Sequence, residues 1–262
     1  MKVGFIGGGN MASALIGGLI NSGYAASDIC LFDTDAEKCA VWKAQGVRVA
    51  EDAKETESIA DLIIFAVKPN VIETVLHEME GYKDKIYLSI AAGVSIAHLE
   101  DILGADMKIV RTMPNTPAQV GCGMTVITPN FNLTETELKS IEDIFSGIGD
   151  TAVMPEKFMS IATALHGSSP AYVYMFIDAL ADAGVSYGLP KEQALKLAAK
   201  AVEGSAKMVQ ATEIHPEKLK DNVCSPGGTT IAAVCDLEEN GFRAVVQSAV
   251  RACVDRAEEM SK

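Results

Sequence analysis

The chain has 262 residues, 48% of them hydrophobic and 22% charged, which fills the cores of one large or two ordinary domains and excludes a disordered chain. No apolar run approaches the about 18 residues that would cross a bilayer. The balance of 35 acidic against 22 basic residues leaves a net charge of −13, which repels nucleic acid and anionic membranes.

In chain order, Val3 to Gly7, Ile29 to Asp33, Val47 to Val49, Leu62 to Val67, Ile86 to Ala91, Ile109 to Arg111 and Met124 to Ile127 read as strands. Helical patterns lie between them near residues 11 to 22, 35 to 45, 71 to 80, 95 to 103 and 134 to 147. Near-continuous apolar strands alternating with helices predict a Rossmann-like, doubly wound α/β sheet, mostly parallel and covered on both faces, over residues 1–154. After Pro155 the pattern is helical, so residues 155–262 are expected to form an all-α domain. Ser168-Ser169-Pro170 opens one helix, and Gly188-Leu189-Pro190 ends it and starts the next. Ala171 to Val185 is apolar on nearly all faces, whereas Ala194, Leu195, Ala198, Ala201, Val202, Ala206 and Val209 form one stripe. A helix apolar all round needs cover on every side, so a second subunit is expected against it.

The start, MKVGFIGGG, meets glycines at once and is neither a signal nor a transit sequence, which points to the cytosol. Cys30, Cys39, Cys122, Cys224, Cys235 and Cys253 show no C-x-x-C pair and no histidine at zinc spacing, so they read as reduced, mostly buried residues, and no metal is expected.

Gly7-Gly8-Gly9-Asn10-Met11-Ala12 gives G-x-G-x-x-A directly after a strand that ends in Ile6. Gly7 permits the tight turn, Gly9 lets backbone approach a pyrophosphate, and Ala12 lets the helix close on the sheet. The helix N-terminus then offers N–H donors to a polyanion within an acidic domain. Asp33, with Thr34 beside it, stands where a carboxylate accepts hydrogen bonds from a ribose 2′-OH and repels a 2′-phosphate, which favours NADH over NADPH; the other reading of Asp33 is a helix cap. Lys38 is the nearest cation. Ala66-Val67-Lys68-Pro69 and Ala91-Ala92 finish strands at the same edge, Lys68 either meeting a phosphate or ribose or closing the turn before Pro69.

In the helical half, Cys224-Ser225-Pro226-Gly227-Gly228-Thr229-Thr230 leads straight into a helix. Two glycines and several hydroxyls before a helix make a nest of N–H donors suited to a carboxylate, with Thr229 or Thr230 able to reach its neighbour; the alternative is an ordinary capped helix start.

That block, with Leu219-Lys220-Asp221-Asn222-Val223 before it and Leu237-Glu238 after it, resembles the signature of the pyrroline-5-carboxylate reductase family. Phe5 to Met11, Ala66 to Pro69, Ala91 to Val94, Met113-Pro114-Asn115-Thr116-Pro117 and Gly167 to Tyr172 are similar to further blocks of that family, in its order and over essentially the whole chain. The resemblance implies NAD(P)H-dependent reduction of 1-pyrroline-5-carboxylate to L-proline. It also implies a helical domain that pairs with its twin, the pairs often assembling into larger rings. By analogy Ser225, Gly228, Thr229 and Thr230 hold the substrate, Thr230 nearest the imine, with Asn115 in the same cleft. At the position of Asp33 the family often has a serine or another neutral residue, so an acid here departs from its NADPH preference.

The chemistry agrees with these residue types. A ring imine can already carry its proton at neutral pH, so its reduction needs a hydride and no strong base, whereas a hydroxyacid dehydrogenase normally supplies His or Lys. Dehydrogenases of that kind with this two-domain plan carry a lysine near the start of the central helix, and Gly167 to Pro190 contains none. A non-catalytic NAD-binding sensor is disfavoured by the intact Ser225 to Thr230 segment. His166, Arg111 and Trp42 read first as structural residues, Arg111 in an ion pair and Trp42 in packing.

Overall fold

The computed structural model describes residues 1–260. Its first part runs Val3–Ile6 (β1), Asn10–Asn21 (α1), Ile29–Phe32 (β2), Ala36–Lys43 (α2), Arg48–Val49 (β3), Ala53–Ile59 (α3) and Leu62–Phe65 (β4). Pro69–His77 (α4), Ile86–Ser89 (β5), Ile96–Leu103 (α5), Lys108–Met113 (β6), Gly123–Pro129 (β7), Glu135–Ser146 (α6) and Gly149–Val153 (β8) follow. The strands form one sheet in the order β3-β2-β1-β4-β5-β6-β7-β8, parallel except for β6 against β7. This is the doubly wound Rossmann-like architecture the alternation predicts.

The apolar strands feed two cores. Val3, Phe5, Leu31, Ile64 and Leu88 face α1 and α6, while Ile6, Ile63, Phe65, Tyr87 and Ile109 face α3 to α5. Because residues of both parities are buried, the strands read as unbroken apolar runs.

Two elements have no apolar signal. α3 buries Ala53 with the polar Thr56 and Glu57, and the Glu57 carboxylate is taken up by the N–H groups of Glu80 and Gly81 and the Tyr87 hydroxyl. β8 is a half-exposed edge strand of sequence GDTAV. It starts at Gly149, whose φ is 149° and whose added Cβ would collide with the Gly123 backbone.

Beyond Pro155 every element is helical, as expected. Met159–Ala162 (α7) runs into a π turn over Thr163–Gly167, followed by Ser169–Ser186 (α8), Lys191–Thr212 (α9), Pro216–Asn222 (α10), Thr229–Glu239 (α11) and Phe242–Glu259 (α12). Contacts divide the chain into Met1–Ser168 with the segment from Cys253 onward, and Ser169–Ala252. The division falls later than the 154/155 boundary read from composition, because Met159 and Ala162 pack on Met113 and Val126 of the sheet. Cys253 returns to the first unit, its thiol 3.3 Å from the Ser168 hydroxyl.

Within Ser169–Ala252, α8 lies on α9, with Gly184 against Ala194, and the buried residues are Ala181, Ala194 and Ala198. Met175 is 74% exposed and Tyr174 60%, so the apolar girth of α8 is not covered by its own chain. The cysteines are all free, but only Cys30 and Cys39 are buried. The expectation of mostly buried thiols fails because Cys122 follows a surface turn and Cys235 lies on α11, which buries no residue. No helix among the described residues is long and apolar enough to cross a membrane.

Candidate functional site

Register brings four strand ends to one edge. Ile6 pairs with Phe32 and Phe65, and Phe65 with Ser89, so the segments that follow β1, β2, β4 and β5 leave the sheet side by side. The edge is tied by Gly7 N–H donating to the Phe32 carbonyl at 2.8 Å and Ala66 N–H donating to the Ile6 carbonyl at 2.8 Å. Connections diverge to opposite sides between β1 and β4, the switch point at which open α/β sheets hold ligands.

Gly7 has φ 100°, and a Cβ there would stand 2.7 Å from the Ala66 carbonyl oxygen, so glycine is required. At Gly9 an added carbon would meet nothing within 4 Å, and α1 begins there without a side-chain cap. The first N–H groups of α1 thus open onto free space with a partial positive charge, which fits a pyrophosphate. Asn10 is exposed and Met11 half-buried, whereas Ile6 and Gly8 are buried and present only backbone to this edge. Ala12 is fully buried against the sheet.

Asp33 is not the cap of α2. Asp35 is, accepting the N–H groups of Glu37 at 3.0 Å and Lys38 at 3.4 Å, and chiefly the Glu37 bond holds its carboxyl below the ordinary range. The Asp33 carboxylate turns instead to the glycine turn, Oδ2 accepting Gly8 N–H at 2.5 Å and Oδ1 accepting Asp35 N–H at 2.8 Å. Lys38 Nζ lies 3.8 Å from Asp33 and 3.4 Å from Asp35. Thr34 is exposed beside them. Lys68 is exposed at the N-cap position of α4, with Pro69 in the first turn, and Ala66 and Val67 are half-buried. Ala91 is buried with its N–H donated to Ser89 Oγ at 3.2 Å, and Ala92 is half-buried.

Asn115 is anchored inside the first unit. Its amide donates to the His166 carbonyl at 3.0 Å and accepts Met124 N–H at 2.9 Å, and the residue is 8% exposed. His166, in the π turn, places Nε2 2.7 Å from the Met113 carbonyl, so that nitrogen carries the hydrogen. Arg111 is ion-paired with Glu156 at 2.8 Å, and Trp42 is buried in the core, both as the sequence suggests.

The second glycine-rich mouth belongs to the second unit. α11 starts after Gly228 without a side-chain cap, which sets aside the reading of an ordinary capped start. Gly227 has φ 68°, Gly228 N–H donates to the Ser225 carbonyl at 3.0 Å, and a Cβ on Gly228 would strike the Ser225 hydroxyl. Ser225 and Thr229 are exposed, and Thr230 is half-buried in the first turn. The first N–H groups of α11 are therefore free to take an anion. Arg243 holds the frame, donating through Nε to Glu238 at 2.7 Å and through a terminal nitrogen to Glu217 at 2.7 Å. These bonds tie α12 to α10 and α11 on either side of the Ser225 loop. Sequence reasoning missed the Arg243 bond to Glu217 and the Asp33 bond to Gly8, because they span 26 and 25 residues, too far for any periodicity to reveal. Among the described residues no cluster of His, Cys, Asp and Glu suits a metal ion.

Two family profiles match the chain. One, described as pyrroline-5-carboxylate reductase dimerisation, covers residues 156–260, and the other, NADP oxidoreductase coenzyme F420-dependent, covers residues 2–93. The pyrroline-5-carboxylate reductase of Escherichia coli (strain K12) is 49% identical over 100% of this chain and 98% of its own. That of Arabidopsis thaliana is 40% identical over 100% and 96%. The crystal structure of Plasmodium falciparum pyrroline carboxylate reductase with NADP bound superposes with a TM-score of 0.92 at 36% identity, covering 100% of this chain and 98% of that one.

Proposed function

The chain belongs to the pyrroline-5-carboxylate reductase family, and from that premise we propose that it reduces the ring imine of 1-pyrroline-5-carboxylate to L-proline, the last step of proline biosynthesis. The observation that carries the proposal is the pair of uncapped, glycine-opened helix mouths, at Gly9 and at Gly228, each fitted to an anion. A reduced nicotinamide dinucleotide supplies the hydride when bound. Ile6, Gly7, Gly8, Gly9, Asn10 and Met11 cradle its pyrophosphate, Asp33 and Thr34 face its ribose, and Ala66 to Pro69 with Ala91 and Ala92 form the floor under its other half.

At the second mouth the backbone donors of Ser225 to Thr230, Gly227 and Gly228 among them, orient the substrate carboxylate. Thr230 Oγ hydrogen-bonds the ring nitrogen, which can already carry its proton at neutral pH, so no strong base is needed. Asn115, anchored by one bond at each end of its amide, keeps a donor hydrogen and a lone pair to offer the substrate in the same cleft. The carboxylate of Asp33 supports a preference for NADH over NADPH. The exposed apolar girth of α8 supports a homodimer through the C-terminal helices, with dimers assembling into a larger ring.

The test follows reduced-nicotinamide absorbance with pyrroline-5-carboxylate, once with NADH and once with NADPH. Thr230→Ala is expected to lower kcat about 100-fold, in the range of lost proton-handling groups, with the dinucleotide Kd held within about twofold. Equal losses in turnover and dinucleotide binding would remove Thr230 from the chemistry, and no oxidation of either cofactor would remove the reaction.

A further inference from the structure

Building on the dinucleotide reading of the sheet edge, we infer that Asp33 is a positioning residue for the glycine turn as well as a reader of the ribose, so that one carboxylate sets both the shape of the phosphate cradle and the discrimination against a 2′-phosphate. Each of its oxygens holds a backbone hydrogen, Oδ2 that of Gly8 at 2.5 Å and Oδ1 that of Asp35 at 2.8 Å. Each keeps a lone pair for a ribose hydroxyl. The side chain is 12% exposed, and a Cβ on Gly8 would meet Oδ2 at 3.3 Å, so turn and carboxylate are in contact.

A carboxylate on a free side chain would rotate away from an incoming phosphate and lose little. This one cannot, because leaving would strip the buried Gly8 N–H of its acceptor, and a buried donor without a partner is costly. The repulsion of a 2′-phosphate is therefore fixed in place. Lys38, half-exposed and 3.8 Å from Asp33, offsets only part of it, since Asp35 shares its charge at 3.4 Å. The turn between Gly7 and Gly9 and the end of β2 are thereby one unit: whatever moves Asp33 also loosens the N–H donors that receive the pyrophosphate.

Calorimetric titration of the full chain with ADP and with adenosine 2′,5′-bisphosphate, neither of which carries a nicotinamide, separates the two roles. Asp33→Asn keeps an acceptor oxygen for Gly8 and deletes the charge. It is expected to tighten the bisphosphate about tenfold and to weaken ADP less than the alanine variant does, because the ribose bonds lose their charge while the glycine turn keeps its acceptor. Asp33→Ala deletes charge and acceptor together. It is expected to weaken ADP about tenfold, to gain less for the bisphosphate than the asparagine variant, and to speed amide hydrogen exchange across residues 6–11. If the alanine variant does not fold, Asp33→Ser, too short to span to Gly8, serves in its place. Alanine and asparagine variants with the same two affinities, or unchanged exchange in the alanine variant, overturn the positioning role. Failure of the unmodified chain to bind ADP overturns the dinucleotide reading itself, and the positioning role with it.

Discussion

The two compact units solve the same problem in different ways. In the unit built on Met1–Ser168, side chains from its own sequence fill both faces of the sheet, and Asp35, Asp52, Ser95 and Thr134 cap four of its helices. In Ser169–Ala252 the buried residues are three alanines, α9 and α11 start without side-chain caps, and large apolar groups such as Tyr174 and Met175 stand exposed. The first unit is complete as a monomer, whereas the second is a half-core written for a partner. A reductase chain of this size can thus divide its labour, one part spending hydrophobic residues on itself and the other on assembly.

The most severe way to break the comparison is to attack the self-sufficient unit where its backbone has no slack. Gly149→Ala places a methyl group into the Gly123 backbone at φ 149° and is expected to cost about 4 kcal/mol or more, read as a fall in the urea midpoint. A variant within about 1 kcal/mol of the parent would show that β8 can slide, and that the first unit is less rigid than its packing implies.

The second unit should fail differently. Met175→Asp removes no contact of consequence within the chain, since the side chain is 74% exposed, yet it puts a charge on the face assigned to the partner. Burying an unpaired charge is expected to cost about 3 kcal/mol of association, about a 100-fold weaker dimer, visible by light scattering and as a concentration-dependent Tm. An unchanged dimer would move the interface off α8. The smallest expected effect sharpens the contrast in capping. Thr134→Ala opens the capping box of Thr134 and Glu137 and is expected to cost about 1 kcal/mol without altering assembly, measured by thermal unfolding beside size-exclusion chromatography.

Much of this was legible before any coordinates. The strands β1, β2, β4 and β5 are apolar at both parities, and the glycine turn after β1 has a spacing that few other structures require, so sheet and cofactor edge follow from local pattern. What stayed hidden depends on distance in sequence. α3 buries a carboxylate whose partners lie more than 20 residues away, which periodicity reads as surface. β8 is an edge strand with polar residues on both faces, so nothing separates it from a loop. Asn115 is placed in the cleft by the resemblance of its segment to the family, and the bonds that anchor its amide to His166 and Met124 join residues too far apart for the sequence to show. Asp33 follows β2 directly, so its place is legible, but the Gly8 bond that fixes its orientation spans 25 residues and leaves no trace in composition.

The return of the end of α12 to the first unit makes distant stretches of chain depend on one another. Cys253 meets Ser168, and an added carbon on Gly93 would stand 2.7 Å from the carbonyl oxygen of Met260, so the turn beside Ala92 is walled by the segment that follows Cys253. The strands pair without that segment, so this flank of the turn is a long-range contact that closes after the sheet has formed, and a local opening of α12 bares it while the sheet stays whole.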